Sequence, residues 1–247
     1  MLQELGRLGE AYLVVKGGVN LRFFFGSVRY SEDLDLDANP SSSVAVRDLI
    51  RGLFEDRGLA RRLRELGIRQ LDPGEGPNKD TATTFRYKFG IVMTGDVRHP
   101  TRIEVSYRDR FAGDEVVVEA ILPSVTRAYL TDAEQRLLIP HYSRTASVRQ
   151  KIVALARRKV VQSRDVFDLH SLTAGQRDQI VASRLRDSIP PEDLFEAHRR
   201  TLEIPYEEYR GQVLEFLEME ERSQFEGEAV WDDLRLDVAE FIEDIAR

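Results

Sequence analysis

The sequence predicts an α+β fold with an all-helical second half. Three observations lead there: strand and helix patterns interleave through the first 140 residues, strand patterns stop beyond His141, and amphipathic helical patterns fill the rest. Strands mixed with helices, followed by helices alone, indicate an α+β N-terminal domain and a separate helical domain. The seam is placed at residue 140, giving domains 1–140 and 141–247.

In chain order, AYLVV is a short buried-strand pattern. In VNLRFFFG, Leu21, Phe24 and Phe25 recur at helical spacing. DLDLDA alternates polar and apolar residues, as a half-buried strand does. Residues 41–66 read as one helix, capped by Ser42 or Ser43. DPGEGPNKD, residues 72–80, reads as a loop from its Pro, Gly and Asn content. Residues 83–94 predict a long strand, residues 101–107 its neighbour, and residues 116–121 another. Pro123 and Pro140 bracket a transition. SVRQKIVALARRK, TAGQRDQIVASRLR, PPEDLFEAHRR, EEYRGQVLEFLEMEE and DDLRLDVAEFIEDIAR then read as helices.

Composition narrows the functional classes. The 247 residues, 42% of them apolar, allow a sizeable core and exclude wholesale disorder. The absence of cysteine excludes disulfides, thiolate zinc sites and a cysteine nucleophile, and fits a reducing cytoplasm. No apolar run is long enough to cross a bilayer and the N-terminus has no signal-peptide pattern, so a cytoplasmic protein with no membrane partner is expected. The four histidines form neither HxxxH nor HExxH, and no serine lies in GxSxG, which argues against histidine zinc sites and acyl transfer. Net charge is -7, but it is unevenly placed. Residues 141–164 hold seven basic side chains and no acidic one, whereas residues 201–247 hold fifteen acidic against four basic. That distribution reads as a phosphate-facing surface and a solvated tail, or in each case as the wet face of a helix.

The chemistry concentrates in VVKGGVNLRFFFGSVRYSEDLDLDA, residues 14–38. Alternate strand residues point the same way, so Asp33 and Asp35 share a face, with Asp37 further along it. Two close carboxylates repel, and a divalent cation removes the conflict. Magnesium takes one or two carboxylates together with substrate phosphates and water. The plain alternative is an acidic edge strand in water. Upstream, Gly17 and Gly18 lie between a strand and a helix start, where backbone N–H groups bind phosphate, and Lys16 adds a cation. A Gly-Gly pair by itself also serves as a turn. TRIEVSY offers Glu104 as a third carboxylate on a neighbouring strand. Lys151 and Arg158 are seven residues apart, and Asp165 and Asp168 are three apart in RDVFDL, so each pair shares a helical face. Asp165 orients Lys151 or Arg158, contacts a nucleotide, or docks the two domains; spacing leaves these open. Ser31, two residues before Asp33, reads as a turn hydroxyl or as a phosphorylation site that would oppose an incoming triphosphate.

As a set, KGG-x-N-L-R, R-x-SEDLDLD, IEVS, K-x-x-A-L-x-R and RDVFDL resemble the AbiEii/AbiGii-type nucleotidyltransferase toxins, including the MenT group. The resemblance covers residues 14–38 and 147–170. It implies a DNA polymerase β-like nucleotidyltransferase core with a helical C-terminal domain, and NTP and Mg2+ as reactants. It implies that Asp33 and Asp35 are the metal-binding pair, Lys151 the lysine of the third motif and Asp165 the aspartate of the fourth. Lys16, Gly17 and Gly18 match the phosphate-facing opening. There the family often has Gly-Ser, whereas Gly18 is followed by Val19. Several relatives attach nucleotides to tRNA acceptor ends and stop translation, and a toxin implies a cognate antitoxin from a neighbouring gene.

The leading functional reading is a Mg-dependent nucleotidyltransferase acting on an RNA acceptor, with the tRNA 3′ end as target. Asp33, Asp35 and Glu104 would serve the metal, and Lys16, Gly17, Gly18, Lys151 and Arg158 the nucleotide. Two alternatives stand beside it: the same fold nucleotidylating a protein or small molecule, and a non-catalytic nucleotide-binding module.

Overall fold

The computed structural model describes residues 13–74, 77–108, 114–126 and 138–247. The expectations for residues 1–12, including the missing signal-peptide pattern and Ala11 and Tyr12 of the first strand, lie outside these. So do Glu75 and Gly76 of the expected loop, and residues 127–137 of the Pro-bracketed transition. The chain divides into two compact units, one of residues 13–24 and 31–142, the other of residues 25–30 and 143–247. The mixed α/β class expected from the sequence is present, with a sheet and eleven α-helices among the described residues.

The first unit is built on a mixed sheet of eight described strands. They are β1 (Val14–Lys16), β2 (Asp33–Asp37), β3 (Ile68–Asp72), β4 (Pro77–Asp80), β5 (Thr84–Met93), β6 (Arg98–Ser106), β7 (Val116–Ala120) and β8 (Leu138–Tyr142). The order is β3-β5-β6-β2-β1-β8-β7, with β4 also on β5. β2 lies antiparallel to β1 and parallel to β6. One face of the sheet is apolar because the strand sequences alternate: Val15, Leu36, Phe85, Ile103, Val105 and Ile139 are all buried. α1 (Gly17–Phe25) adds Leu21 and Phe24 to the core, and α2 (Ser43–Leu53) adds Val46, Ile50 and Leu53. The Phe24 ring stacks on His141 at 3.6 Å.

Two local expectations are corrected. Residues 41–66 are not one helix, because the chain turns after Leu53 and restarts as α3 (Arg57–Glu65). Phe54 leaves the helix to stack on Tyr87, and the Asp56 carboxylate caps the new helix by accepting from the N–H groups of Gly58 and Leu59. Neither serine caps α2 through its side chain; the Ser42 hydroxyl donates to Asn39 O. The expected loop at 72–80 contains strand at both ends, since β3 ends at Asp72 and Pro77–Asp80 pairs with β5. Pro77 is tolerated at the start of a strand, where a missing N–H costs little.

The second unit is helical: α5 (Arg144–Arg157), α6 (Ser163–Thr173), α7 (Ala182–Ser188), α8 (Pro191–Glu203), α9 (Tyr206–Gln212), α10 (Met219–Phe225) and α11 (Glu228–Ala246). A short helix, α4 (Pro123–Thr126), belongs to the first unit. The long periodic stretches at 173–186 and 207–221 break into shorter helices joined by 3-10 turns at Arg177–Gln179 and Leu214–Phe216. The core gathers Ile152, Leu155, Phe167 and Leu169 with Tyr209 and Trp231, whose rings stack at 4.4 Å. Trp231 meets its polar need by donating Nε1–H to Ile204 O. Among the described residues no helix is long and apolar enough to cross a membrane.

Candidate functional site

The polar face of the sheet carries the acidic strand. Backbone register sets Asp35 opposite Lys16 on β1 and opposite Glu104 on β6. Paired residues on neighbouring strands project to the same side, so Asp33, Asp35, Asp37, Lys16, Arg102 and Glu104 share one face. Charges there pair crosswise: Arg102 Nη2 is 2.7 Å from Asp33 Oδ2, and Arg86 donates to Glu104 at 2.5 Å. Lys16 Nζ donates to Asp37 Oδ1 at 2.5 Å, and the Tyr142 hydroxyl donates to Asp37 Oδ2 at 2.7 Å. Asp37 is thus a buried counter-ion that fixes Lys16. Asp35 has no such donor among the described residues. Its pKa is raised, chiefly by burial and further by Asp33 and Glu104, against the attraction of Lys16 and Arg102.

The glycine turn presses directly on this carboxylate. Gly17 opens α1 at φ +68, a conformation that side chains rarely adopt. A β-carbon there would meet Asp35, so only glycine lets the turn approach it so closely. Gly18 follows in the first turn of α1, whose N-terminal N–H groups are suited to anions. Ser31 has a local role, its hydroxyl donating to Asp33 O.

The helical unit holds a second charged centre. Asp165 and Asp168, three residues apart on α6, are both fully buried. Lys151 from α5 bridges them, with Nζ 2.9 Å from Asp165 Oδ1 and 2.5 Å from Asp168 Oδ2. Arg29, from the segment 25–30, grips Asp168 with Nε and Nη2 at 3.0–3.1 Å. Arg158 Nε lies 2.9 Å from Asp165 Oδ2. α5 ends at Arg157, so Arg158 reaches Asp165 from extended backbone beyond the helix and not from the helical face that its spacing implies. Burial alone would raise the pKa of Asp168, but Lys151 and Arg29 outweigh it and hold the carboxyl below its ordinary value. Burial alone would lower that of Lys151; Asp165 and Asp168 outweigh it and raise it. Three cations around two carboxylates leave one net positive charge, and its more accessible members are Lys151 and Arg158.

The structure therefore brings Lys16, Gly17, Asp33, Asp35 and Glu104 together in the sheet unit, and Lys151, Arg158 and Asp165 together in the helical unit. Arg29 as the partner of Asp168, Asp37 as the partner of Lys16, and Tyr142 carried no signal in the sequence. The basic stretch 141–164 is mostly engaged internally: Arg144 donates to Leu172 O, Arg157 pairs with Asp193 and Arg164 with Gln162. Among the described residues no group of three or more His, Asp or Glu is gathered as a ready metal cage. The hard oxygen donors of Asp33 and Asp35 nonetheless suit an ion that completes its shell with phosphate and water.

The family model described as "Nucleotidyl transferase AbiEii toxin, Type IV TA system" matches residues 5–247. No curated protein matches the chain in sequence. Among solved structures it is similar to MenT4, a nucleotidyltransferase toxin of Mycobacterium tuberculosis, with 17% identity, a TM-score of 0.55 and coverage of 99% of this chain and 88% of that one. It is similar also to JHP933 of Helicobacter pylori, with 18% identity, a TM-score of 0.52 and coverage of 98% and 90%. A further Helicobacter pylori structure, described as a nucleotidyltransferase, gives 18% identity, a TM-score of 0.52 and coverage of 98% and 93%. At these identities the structural likeness speaks for the fold.

Proposed function

The chain belongs to the AbiEii nucleotidyl transferase toxin family of type IV toxin–antitoxin systems, and from that premise we propose that it transfers a nucleotide from an NTP to an RNA acceptor. The proposed target is the tRNA 3′ end, whose modification blocks translation in the cytoplasm. A cognate antitoxin is the expected protein partner. On this reading residues 1–140 form a DNA polymerase β-like nucleotidyltransferase domain and residues 141–247 a helical domain. The observation that carries the proposal is the glycine turn of Gly17 set against Asp35, with Glu104 in register beside it.

In the proposed reaction an acceptor hydroxyl oxygen bonds to the α-phosphorus of the NTP. The bond from that phosphorus to the bridging oxygen breaks, and pyrophosphate leaves with the electron pair. Glu104 takes the hydroxyl proton. Lys16 keeps two N–H donors beyond the one given to Asp37, and with the N–H groups of Gly17 and Gly18 it binds phosphate oxygens. Lys151, the lysine that the family resemblance implies, and Arg158 are the further nucleotide-binding cations of this reading, both paired with Asp165 inside the helical unit. Asp33 and Asp35 are the residues suited to hold Mg2+, which when bound neutralises triphosphate charge. Catalysis is then mostly positioning and electrostatics.

The test is incubation with each labelled NTP and total RNA, comparing wild type with Asp35→Asn. Loss of RNA labelling by about 100-fold or more is expected on the scale of lost charge stabilisation. In metal-free buffer the same variant should melt higher than wild type, because Asn removes a desolvated charge lying beside Asp33 and Glu104. Equal labelling by both proteins overturns the proposal. The net charge of -7 favours a second reading, transfer to a protein or small molecule; label that survives RNase but not protease selects a protein acceptor.

A further inference from the structure

Arginines in the sheet unit generally have acidic partners. Arg47 and Arg51 reach Asp80, Arg69 pairs with Asp96, and Arg98 with Asp72. α3 is different. In RGLARRLRE, Arg57, Arg61 and Arg64 recur at i, i+4 and i+7 and are exposed. Among the described residues none of these three side chains makes an ion pair or a hydrogen bond. Arg62, on the flank of this stripe, attracts Asp56 only through space, since that carboxylate is spent on capping the helix. Like charges at i, i+4 oppose helix formation by a few tenths of a kcal/mol each. The stripe therefore stands at some cost to the helix, in a chain that is acidic overall.

The stripe lies opposite buried Leu59, which docks the helix to its unit. Three guanidinium groups along roughly 10 Å of helix match successive backbone phosphates and grip them bidentately. The apolar residues between them, Ala60 and Leu63, are half-buried and Leu59 is buried; the exposed Leu66 lies past the last turn at the C-cap, so no exposed apolar or aromatic anchor stands within the stripe as a protein interface would centre on. α3 leads directly into β3, the outermost strand of the main path. That strand is three spacings, about 14 Å, from the acidic strand β2. A phosphodiester chain several nucleotides long spans that distance.

We propose that the Arg57–Arg61–Arg64 stripe of α3 docks the sugar-phosphate backbone of the RNA acceptor without reading its sequence. This rests on the RNA reading of the transfer reaction and extends it to a surface apart from the reacting groups. The test uses the full-length chain and a variant carrying Arg57→Gln, Arg61→Gln and Arg64→Gln, all substitutions that keep helix propensity. Circular-dichroism melting checks that the variant is folded. Binding of fluorescent bulk tRNA is then measured against KCl concentration.

The variant should bind at least about tenfold more weakly near 0.1 M salt, with a log–log salt slope shallower by about 2 to 3. It should raise KM for RNA while leaving KM for the NTP and kcat unchanged. Replacing the same three residues by Lys should restore most of the salt slope. Unchanged affinity and slope in a folded Gln variant overturn the proposal. An equal loss of binding to poly-glutamate also overturns it, assigning the stripe to an acidic protein. Salt-dependent RNA binding that needs the stripe, in a wild type that transfers no nucleotide, sustains the docking surface and removes the transferase reading instead.

Discussion

A β-carbon added to Gly17 would lie 2.8 Å from Oδ2 of Asp35 and 3.3 Å from its Cβ. The turn proposed to bind phosphate is thus in direct contact with the carboxylate proposed to hold a metal, and no side chain separates them.

Gly17→Ala tests this contact, and Gly67→Ala is its control. Both glycines have positive φ, +68 and +79, but a β-carbon at Gly67 meets nothing within 4 Å. Each substitution should cost about 1–2 kcal/mol of stability from the left-handed backbone. Only Gly17→Ala should also abolish nucleotide transfer, because Asp35 must move away. Chemical denaturation and a labelled-NTP assay read the two effects separately, and equal activity in both variants would refute the close-approach argument.

Arg29 and Asp168 should be strongly coupled. Removing either partner of a buried pair costs about 3–5 kcal/mol, so Arg29→Met and Asp168→Asn should each lower the urea midpoint sharply. The double variant should lose less than the sum, since the partners are in direct contact. The sign of the pH dependence follows from the lowered pKa of Asp168. Its contribution is complete above the ordinary carboxylate value of 3.8 and is lost as pH falls through the depressed one. The raised pKa of Lys151 acts at the other extreme, present below 10.5 and lost as pH rises through the raised value. If Asp168→Asn cost under 1 kcal/mol, the buried-pair account would fail.

His141 should give an acid limb of its own at higher pH. Burial lowers its pKa from 6.5 to about 4. Its Nδ1–H donates to Asn20 Oδ1 and Tyr142 O, while the ring stacks on Phe24. The unfolded chain takes up a proton before the folded one does, so this stability is present above 6.5 and lost as pH falls through about 4. A slope of up to about 1.4 kcal/mol per pH unit is expected across that window. His141→Asn should flatten it, which urea titrations at pH 4.5, 5.5 and 6.5 (about one unit apart) would read.

Much of the local structure was legible because it depends on period and punctuation. DLDLD alternates, and Asp33–Asp37 is a strand with Leu36 fully buried. Gly17 and Gly18 precede a helical pattern, and α1 begins at Gly17. RDVFDL has helical spacing, and Asp165 and Asp168 lie on α6. Where a long pattern failed, a non-local contact explains it. Phe54 left the helical path of residues 41–66 for the rings of Tyr87 and Phe89, more than thirty residues later in the chain.

By itself the sequence determined the α+β class, the family, and the acidic face with its glycine turn, because period-2 and period-3.6 patterns are written in neighbouring residues. Tertiary structure alone decided which charges meet. Strand register put Glu104 and Lys16 beside Asp35, a diagonal side-chain contact across β1 and β2 gave Lys16 to Asp37, and the packing of segment 25–30 with the helical unit gave Arg29 to Asp168. The physical reason is that an ion pair is chosen by distance and burial in space, and residues 21 or 139 positions apart along a chain carry no local sign of each other.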